Sequence, residues 1–335
     1  MSYFFYLLQY QLLKHLQIEK NWVFTVILSC KEPKVIEIDS KELLNNLKEL
    51  SDDSFEGRLF SSEAGKRARK NIVENFKNAG LQPINGSYED EFSTTLREKQ
   101  RQLFFPIKKK PLDDYSNVPD TTVVGGNAFG MLNGETSKDI VITAHFDHLG
   151  IRDGKIYNGA DENASGTVAL YTIAKYFRNK PTKHNLVFVA VDGEEVGSVG
   201  ADYFLKNYTN KNNIVLNINL AMISHSDYDP ELFVSGLYHY PELRDPLEDI
   251  HTDKILLLFG HDDPNNKEQA DWTFSSDHRV FYRNKIPHLY FGVPDHKDYH
   301  RSTDTYATIN EEFYIEAVKI IIQAIENLDQ HFIDD

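Results

Sequence analysis

Four short apolar segments mark the second half of the chain, and each of them ends in polar residues. They are residues 139–144, 185–191, 213–220 and 286–293. Because they are apolar at nearly every position rather than at alternate positions, they are typical of strands that are covered on both faces. The pattern therefore predicts a sheet that is buried between two layers.

Helical spacing of apolar residues occurs around these strands, in residues 40–50, 62–79, 164–178 and 311–328. Gly80 follows the second of these segments, as is common just after a helix. Helices that alternate with buried strands indicate the α/β class, and we predict a mostly parallel, mixed central sheet with helices on both faces. Residues 97–120 show no clear period and are predicted to form a surface excursion.

The first thirty residues have a different character. Residues 22–29 are apolar, follow Lys20 and end at Cys30. This layout predicts a secretory signal or a lipoprotein leader over residues 1–30, with a lipid anchor at Cys30 and a secreted or cell-envelope location in a bacterium. Two alternatives stay open. The segment could be a buried strand or packed helix with Cys30 in the core, or the reading frame could start too early.

Composition narrows the function classes. The chain has 335 residues, a formal net charge of −15 and one cysteine. A single cysteine excludes an intrachain disulfide and any Cys-x-x-Cys metal site, and an acidic chain disfavours nucleic acid as a partner. No apolar run reaches the roughly 18 to 20 residues of a membrane span. Since there is no internal repeat and no Gly/Ser linker, we expect one domain over residues 31–335.

Histidines and carboxylates collect where the apolar segments end. His145 and Asp147 follow the first segment, Glu194 and Glu195 the second, and His300 the last. Because ligands of parallel sheets bind at the carboxyl ends of the strands, these side chains are expected at one edge. Imidazoles and carboxylates are the ligands of a zinc site without thiolates. Each group alone has a common structural explanation, so the joint occurrence carries the prediction.

Five motifs in a fixed order resemble the M28 zinc peptidases, a family of bacterial leucyl-type aminopeptidases with glutaminyl cyclases as relatives. The motifs are AHFDHLG (144–150), NGADENASG (158–166), DGEEVGSVG (192–200), NINLAM (217–222) and DYHRSTDT (298–305). Residues 56–83 are also similar to the first helical region of that family. The resemblance spans roughly residues 43–328 and implies the zinc exopeptidase fold, a phosphorylase/hydrolase-like sandwich.

The resemblance also implies a set of metal ligands. Asp161 matches the carboxylate that bridges two zinc ions. Glu195 and His300 match the remaining ligands of one ion, and His145 matches a ligand of the other. Glu162 stands where the family more often has aspartate.

Two further residues match catalytic positions of the family. Glu194 matches the general base, which takes a proton from the water that attacks the peptide bond and passes it to the leaving amine. Asp147 matches the carboxylate that orients the neighbouring histidine. The implied reaction is the hydrolysis of an N-terminal peptide bond, and the implied substrates are peptides with a free N-terminus.

One departure from the family pattern concerns the metal directly. The third strand of the family carries an Asn-Leu-Asp-Met sequence whose aspartate binds zinc, whereas this chain has Ala221 at that position. Since catalytic zinc usually has three protein ligands, we predict one firmly bound zinc ion and a second site that is weak or empty. Asn219, His225 and Asp227 are the nearest candidates to replace the missing ligand.

Other polar and aromatic groups are weaker candidates for a functional site. Residues 275–278 with His288 could suggest a serine hydrolase, but no Gly-x-Ser-x-Gly elbow occurs, and Asp277 with His278 is expected to support the pocket wall. Residues 261–263 are predicted to form a polar loop. Trp272, Phe274 and Tyr299 could line a substrate pocket or belong to the core.

Three function classes therefore remain. The first is a zinc-dependent exopeptidase, in particular an aminopeptidase. The second is a single-zinc glutaminyl-peptide cyclotransferase, although the sequence after Glu195 has the peptidase form. The third is a catalytically weakened relative that binds peptides, which Ala221 would explain.

Overall fold

A seven-stranded mixed sheet forms the centre of the protein. The computed structural model describes residues 35–96, 120–227, 230–248, 250, 252 and 254–331. All of these residues fall within one compact unit. The leader predicted around Cys30 lies outside the described residues, as does nearly all of the surface excursion predicted for residues 97–120.

The strands of the central sheet are β3 (Ala128–Leu132), β4 (Asp139–His145), β7 (Asn185–Val191), β8 (Ile214–Leu220), β9 (Glu231–Ser235), β10 (Leu256–Phe259) and β11 (His288–Gly292). Two antiparallel hairpins accompany it: β1 (Phe92–Leu96) with β2 (Thr121–Gly125), and β5 (Gly150–Arg152) with β6 (Lys155–Tyr157). The strand order of the central sheet is β10-β9-β11-β8-β4-β7-β3, and β7, β4, β8 and β11 run parallel to one another. β3 pairs antiparallel with β7, and β9 pairs antiparallel with β11.

The α-helices of the described chain are α1 (Ser40–Leu50), α2 (Glu63–Asn78), α3 (Gly166–Phe177), α4 (Val199–Asn207), α5 (Asp245–Glu248), α6 (His278–Arg283) and α7 (Glu311–His331). Side-chain N-caps mark the starts of α1 and α2, close to where the sequence predicts these helices to begin. The side chain of Asp39 accepts from the backbone of Glu42 at the start of α1, and Ser62 accepts from Gly65 at the start of α2. No helix in the described ranges combines the length and hydropathy of a membrane span.

Alternate residues of the buried strands enter two separate apolar clusters, one on each face of the sheet. On β7, Leu186 and Phe188 join the cluster that contains side chains of α1, α2, α3 and α7. Val187 and Val189 join the cluster that contains side chains of α4 and α6. Because side chains alternate across a strand, this division shows that helices cover both faces.

The predicted fold class is therefore confirmed, an α/β fold with a mostly parallel, mixed central sheet between two helical layers. The parallel strands β4, β7, β8 and β11 correspond to the four apolar segments of the sequence. Their shared direction brings the polar residues that follow them to one edge of the sheet.

Candidate metal centre

His148, Glu195 and His300 form a compact group at this edge. A carboxylate oxygen of Glu195, Oε1, lies 2.9 Å from Nδ1 of His148 and 3.3 Å from Nε2 of His300. One potential ligand atom from each of the three residues lies within 4.8 Å of the others. Two imidazole nitrogens and a carboxylate oxygen are ligands that zinc prefers, so these residues fit a zinc ion chemically.

The charge of this group also suits a cation. Burial alone would raise the pKa of Glu195, but hydrogen bonds from His148 and His300 outweigh it and hold the pKa well below its usual value. Glu195 is therefore ionised at neutral pH. A negative carboxylate between two imidazoles is a cation-binding arrangement.

His148 is absent from the ligand set that the sequence predicted. It follows the end of β4 by three residues, inside the AHFDHLG motif, so the motif contained the signal as its second histidine. The ring is fully buried. A Cβ added at Gly159, whose φ is +54°, would lie 2.5 Å from Cδ2 of this ring, so a glycine is required beside it.

The other half of the site contains His145 and Glu162. Nε2 of His145, the last residue of β4, lies 2.8 Å from Oε1 of Glu162. Burial acts to lower the pKa of His145, but Glu162 and Glu194 outweigh it and raise the pKa well above its usual value. The two potential ligands of this half are therefore already paired with each other.

Asp161 takes a different position from the one predicted for a bridging ligand. Its Oδ1 accepts hydrogen bonds from the backbone N–H and the hydroxyl of Ser224, at 2.7 and 2.8 Å, and its Oδ2 lies 2.9 Å from Nε2 of His296. Its side chain is fully buried, whereas Glu162 lines the open cavity of the site. The geometry thus gives Asp161 a structural role, and Glu162 is the carboxylate of this pair that faces the site.

Asp304 explains which of the two carboxylates faces the site. Its carboxylate accepts hydrogen bonds from the backbone N–H groups of Asp161 and Glu162, at 2.9 and 3.0 Å. Burial raises its pKa to about 7. These bonds fix the direction of the loop before α3. Asp304 is the second aspartate of the DYHRSTDT motif, and its role could not be predicted from that position alone.

Asp147 orients the acidic turn after β7. Its two carboxylate oxygens accept from the backbone N–H groups of Glu194 and Glu195, at 3.0 and 3.2 Å. Its Oδ1 is 3.7 Å from Nδ1 of His145, too far for a good hydrogen bond, and that ring nitrogen lies 3.2 Å from the Asp147 carbonyl instead. The side chain of Asp147 therefore positions the turn, and its main chain positions the histidine.

Glu194 lines the cavity and directly precedes Glu195 of the His148–Glu195–His300 group. Burial raises the pKa of Glu194 to about 8, although His145 and Arg279 act to lower it. Nη2 of Arg279 lies 3.3 Å from Oε1 of Glu194, and Nε of the same arginine donates to the hydroxyl of Ser198. A carboxyl group with a pKa close to neutrality, next to a substrate cavity, is suited to proton transfer.

Ala221 lies in aromatic surroundings at the end of β8. It is buried in a cluster with Phe233, Trp272 and Tyr290, and it also lines the cavity. Its methyl group offers no ligand atom. The missing carboxylate of the sequence pattern is therefore missing from the structure of the site as well.

The candidate replacements for that carboxylate are engaged elsewhere. The amide of Asn219 accepts from Thr143 and donates to Ser276. Nε2 of His225 lies 2.8 Å from Asp227. The ring of His225 stacks on that of His296, whose centroid is 4.0 Å away. These contacts occupy polar atoms of all three candidates.

A cavity of about 500 Å³ opens beside Glu162, Glu194 and His300. Trp272 and Tyr299 line it, which is one of the two positions predicted for them. Phe274 does not: it is 49 % exposed and packs edge-on against Tyr282.

Residues 261–263 and the Asp277–His278 pair form and support the wall of the cavity. His261 lines the cavity and stacks on Trp272 at a centroid distance of 3.6 Å, while Asp262 accepts from the backbone of Gly236. Nε2 of His278 lies 2.8 Å from the carbonyl of Trp272. These contacts agree with the predicted polar loop at residues 261–263 and with the predicted support of the pocket wall by His278.

The side chain of Arg58 connects two loops of the site, the one that follows β4 and the one that precedes α3. Its guanidinium is fully buried and donates to the carbonyls of Phe146, Asn158 and Gly159, at 2.7, 2.6 and 2.8 Å. Burial lowers its pKa to about 10, so it remains charged at neutral pH. It was not singled out from the sequence, because an arginine after a glutamate and a glycine gives no sign that it will be buried.

Comparisons with known proteins give matches both in sequence and in structure. The sequence profile of peptidase family M28 matches residues 127–325. The alkaline phosphatase isozyme conversion protein of Escherichia coli is 27% identical over 177 residues, 50% of this chain and 46% of that protein. Aminopeptidase YwaD of Bacillus subtilis is 27% identical over 202 residues, 56% of this chain and 40% of that protein. The chain thus spans less than half the length of these curated relatives.

Solved structures share the fold. A zinc aminopeptidase from Bacillus subtilis superposes with a TM-score of 0.67 at 16% identity, over 87% of this chain and 96% of that one. A glutaminyl cyclase from Fimbriiglobus ruber gives a TM-score of 0.66 at 16% identity, over 88% and 97%. Because the family profile covers more than half of the chain, the predicted resemblance is confirmed, and the protein belongs to peptidase family M28.

Proposed function

We propose that the protein is a zinc-dependent aminopeptidase that hydrolyses N-terminal peptide bonds. The observation that carries this proposal is the position of Glu194. Its carboxylate lines the cavity, and its neighbour Glu195 belongs to the His148–Glu195–His300 cluster. A proton acceptor, a set of metal ligands and a substrate cavity therefore meet at one place.

Different residues of the site would have different roles in peptide hydrolysis. When bound, zinc would acidify water and polarise the scissile carbonyl. Glu194 would accept the proton of the attacking water at its carboxylate and return it to the leaving amine. Asp147 holds the backbone of Glu194 and Glu195, so the base and the metal ligand keep a fixed separation.

The cavity wall suits a substrate with a free amino terminus. Its described lining residues include Glu268, Asp271 and Asp295 and no lysine or arginine. An acidic wall attracts the ammonium group of a peptide N-terminus. Tyr299 and Trp272 supply the apolar surface that a side chain would contact.

We further propose that the protein holds one zinc ion tightly. His148, Glu195 and His300 supply three protein ligands, the number usual in catalytic zinc sites. The half with His145 and Glu162 lacks the carboxylate that position 221 would provide, and its two remaining ligands are paired with each other.

A single zinc ion also keeps the second candidate function under consideration. A glutaminyl-peptide cyclotransferase would release ammonia from an N-terminal glutamine instead of cleaving a peptide bond. The observation that favours it is Ala221, which lines the cavity together with His300 and offers no carboxylate for a second ion.

One assay separates these functions. The purified protein is incubated with aminoacyl chromogenic substrates and with a glutaminyl peptide, each with and without a chelator. Chelator-sensitive release of the chromogenic amine, restored by zinc, supports the aminopeptidase. Ammonia release from the glutaminyl peptide supports the cyclotransferase. A folded protein that binds zinc and peptide but gives neither product would be the weakened, peptide-binding relative, and this result would contradict the proposal.

A further inference from the structure

We propose that strand β10 is an interaction surface for a second copy of the chain. In this pair, the β10 strands of two copies lie antiparallel across a two-fold axis and join the two central sheets into one. The inference depends neither on zinc binding nor on peptide hydrolysis, so it goes beyond the proposed function.

The two edges of the central sheet differ in how they are covered. On the outer side of β3, the backbones of Gln82 and Met131 exchange two hydrogen bonds, at 2.8 and 2.9 Å, and Phe129 donates to the carbonyl of Tyr88 at 2.8 Å. At the opposite edge, β9 is the single strand that pairs with β10 in the described part of the chain. β3 is thus protected from a further strand, whereas β10 has no such cover among the described residues.

The backbone of β10 is arranged to accept another strand. The N–H groups of Leu256 and Gly260 donate to carbonyl groups on the β9 side. Because the backbone groups of successive residues in a strand point to opposite sides, those of Leu257 and Phe259 point away from the sheet. A row of outward N–H and C=O groups binds an added strand through main-chain hydrogen bonds.

The side chains of β10 lack the features that normally protect an edge. The strand consists of three leucines and a phenylalanine, residues 256–259, and contains no proline and no charged residue. Leu256 is 54% exposed, and the other three side chains are half-buried. Edge strands that face water usually carry lysine, proline or a bulge, since these prevent pairing. The apolar composition of β10 therefore favours an edge that is covered in an assembly.

Charges at the two ends of β10 fit a second copy of the same strand. Before the strand, Lys254 and Glu312 are exposed and form an ion pair at 2.6 Å. At its end, the exposed guanidinium of Arg244 lies over the Phe259 ring, 4.8 Å from the centroid. Both groups lie on the face that α7 covers, since Glu312 belongs to α7 and Phe259 packs against the same apolar cluster.

An antiparallel arrangement makes these charges complementary. It places the end of one β10 beside the start of the other, so Arg244 of each copy comes close to Glu312 of the other copy. Opposite charges across an interface favour this orientation and register. A parallel arrangement would instead place like ends together.

The register and the closure of the pair follow from the same geometry. With Leu257 on the two-fold axis, its outward backbone groups bond to those of its own copy, and Leu256 lies opposite Leu258. Each copy uses its β10 once, and the β3 edges at both ends of the joined sheet are covered. The interface is therefore isologous and stops at a dimer.

The first test compares two matched lysine variants with the parent in the full chain, Leu256→Lys and Ile151→Lys. Ile151 is also an exposed apolar residue of a strand, 49% exposed in β5. Sedimentation velocity over a range of protein concentrations measures the dimer dissociation constant, and circular dichroism shows that each variant is folded.

We expect a parent dimer, and we expect Leu256→Lys to raise its dissociation constant by more than about tenfold, because two unpaired ammonium groups would enter an apolar interface. Ile151→Lys should dimerise as the parent does. A parent that is monomeric at every concentration, or that forms a series of growing oligomers, would overturn the inference. An unchanged dissociation constant in Leu256→Lys would overturn it as well.

A charge exchange tests the orientation. Arg244→Glu and Glu312→Arg each bring like charges together and should each weaken the dimer by roughly three- to tenfold, since each change occurs twice across the axis. The double variant restores opposite charges and should dimerise more tightly than either single variant. A double variant that is weaker than both single variants would contradict the antiparallel pairing of β10.

A cross-link tests the register directly. Leu257→Cys is combined with Cys30→Ser, so that the single thiol of each copy lies on the proposed axis. Residues that face each other in a hydrogen-bonded antiparallel pair have Cα atoms about 5.5 Å apart, which suits a disulfide. Oxidation with copper phenanthroline should give a dimer on a non-reducing gel, whereas Ile151→Cys with Cys30→Ser should stay monomeric. No cross-link at position 257, or equal cross-linking in both variants, would overturn the inference.

Discussion

The two halves of the site use similar residue types for different purposes. In one half, His145 and Glu162 form a close pair beside Ala221. In the other half, His148 and His300 both face an ionised Glu195. A histidine and a carboxylate therefore do not make a metal site by themselves. What matters is how many ligand atoms converge, since each half contains a close pair of a histidine and a carboxylate.

Ala221 therefore removes a potential metal ligand from the first half of the site only. In the first half, the lost carboxylate leaves two ligands that neutralise each other. In the second half, an additional imidazole converges on the carboxylate. We therefore expect metal binding to depend on the second half, while the first half shapes the cavity and the charge around Glu194.

The largest effect is expected for Glu194→Gln. Glutamine has nearly the same shape but cannot accept the proton, so kcat should fall by about 10²- to 10⁴-fold. Zinc content should stay at the parent value, because Glu194 is not in the His148–Glu195–His300 cluster. Steady-state kinetics and metal analysis on the same preparation check this. Loss of zinc in this variant would show that Glu194 belongs to the metal site.

A matched pair of variants tests the two halves directly. His300→Gln should weaken zinc binding by more than about 100-fold, beyond the cost of losing a supporting residue. His145→Gln should change it by less than about tenfold, since a glutamine amide can still donate to Glu162. Chelator competition measures both affinities. Equal losses in the two variants would mean that both halves bind the tight ion.

Restoring the missing carboxylate should make the halves more alike. Ala221→Asp is expected to raise the zinc content from about one to about two ions per chain, because the first half would then have a third ligand. Peptidase activity should rise if the second ion assists the reaction. Metal analysis at saturating zinc is the measurement, and Ala221→Asn is the control that lacks the charge. No gain of zinc in Ala221→Asp would mean that the aromatic neighbours exclude an ion.

The smallest effect concerns the pH dependence of Glu194. Arg279 lowers the pKa of this carboxyl group, so Arg279→Gln should raise it. The base must be ionised to accept a proton, so the acid limb of the pH profile of kcat/KM should move to higher pH. Rates measured across the pH range, at constant zinc saturation, test the direction. A shift to lower pH would show that Arg279 acts on another group.

Much of the fold could be predicted from the sequence, because buried parallel strands and capped helices have strong local patterns. β7 has the predicted bounds, and β4 differs from its prediction by one residue. The meeting of His145, Glu195 and His300 at one edge follows from the common direction of their strands. β3 was not predicted, since its five residues have no distinctive pattern.

The finer site geometry could not be predicted in the same way. Asp161 and Glu162 are neighbours in a loop, and which of them faces the site depends on hydrogen bonds with Asp304 and Ser224, far away in the sequence. His148 lies beyond the end of its strand, where alternation no longer gives the direction of a side chain. Tertiary contacts decide such positions.

One half of the site should therefore bind zinc tightly, and the other half should not. The most direct test is a zinc titration of the metal-free parent protein, followed by calorimetry and by metal analysis after dialysis. We predict one tightly held zinc ion per chain, which His300→Gln removes and His145→Gln retains. Two tightly held ions per chain in the parent would contradict this account.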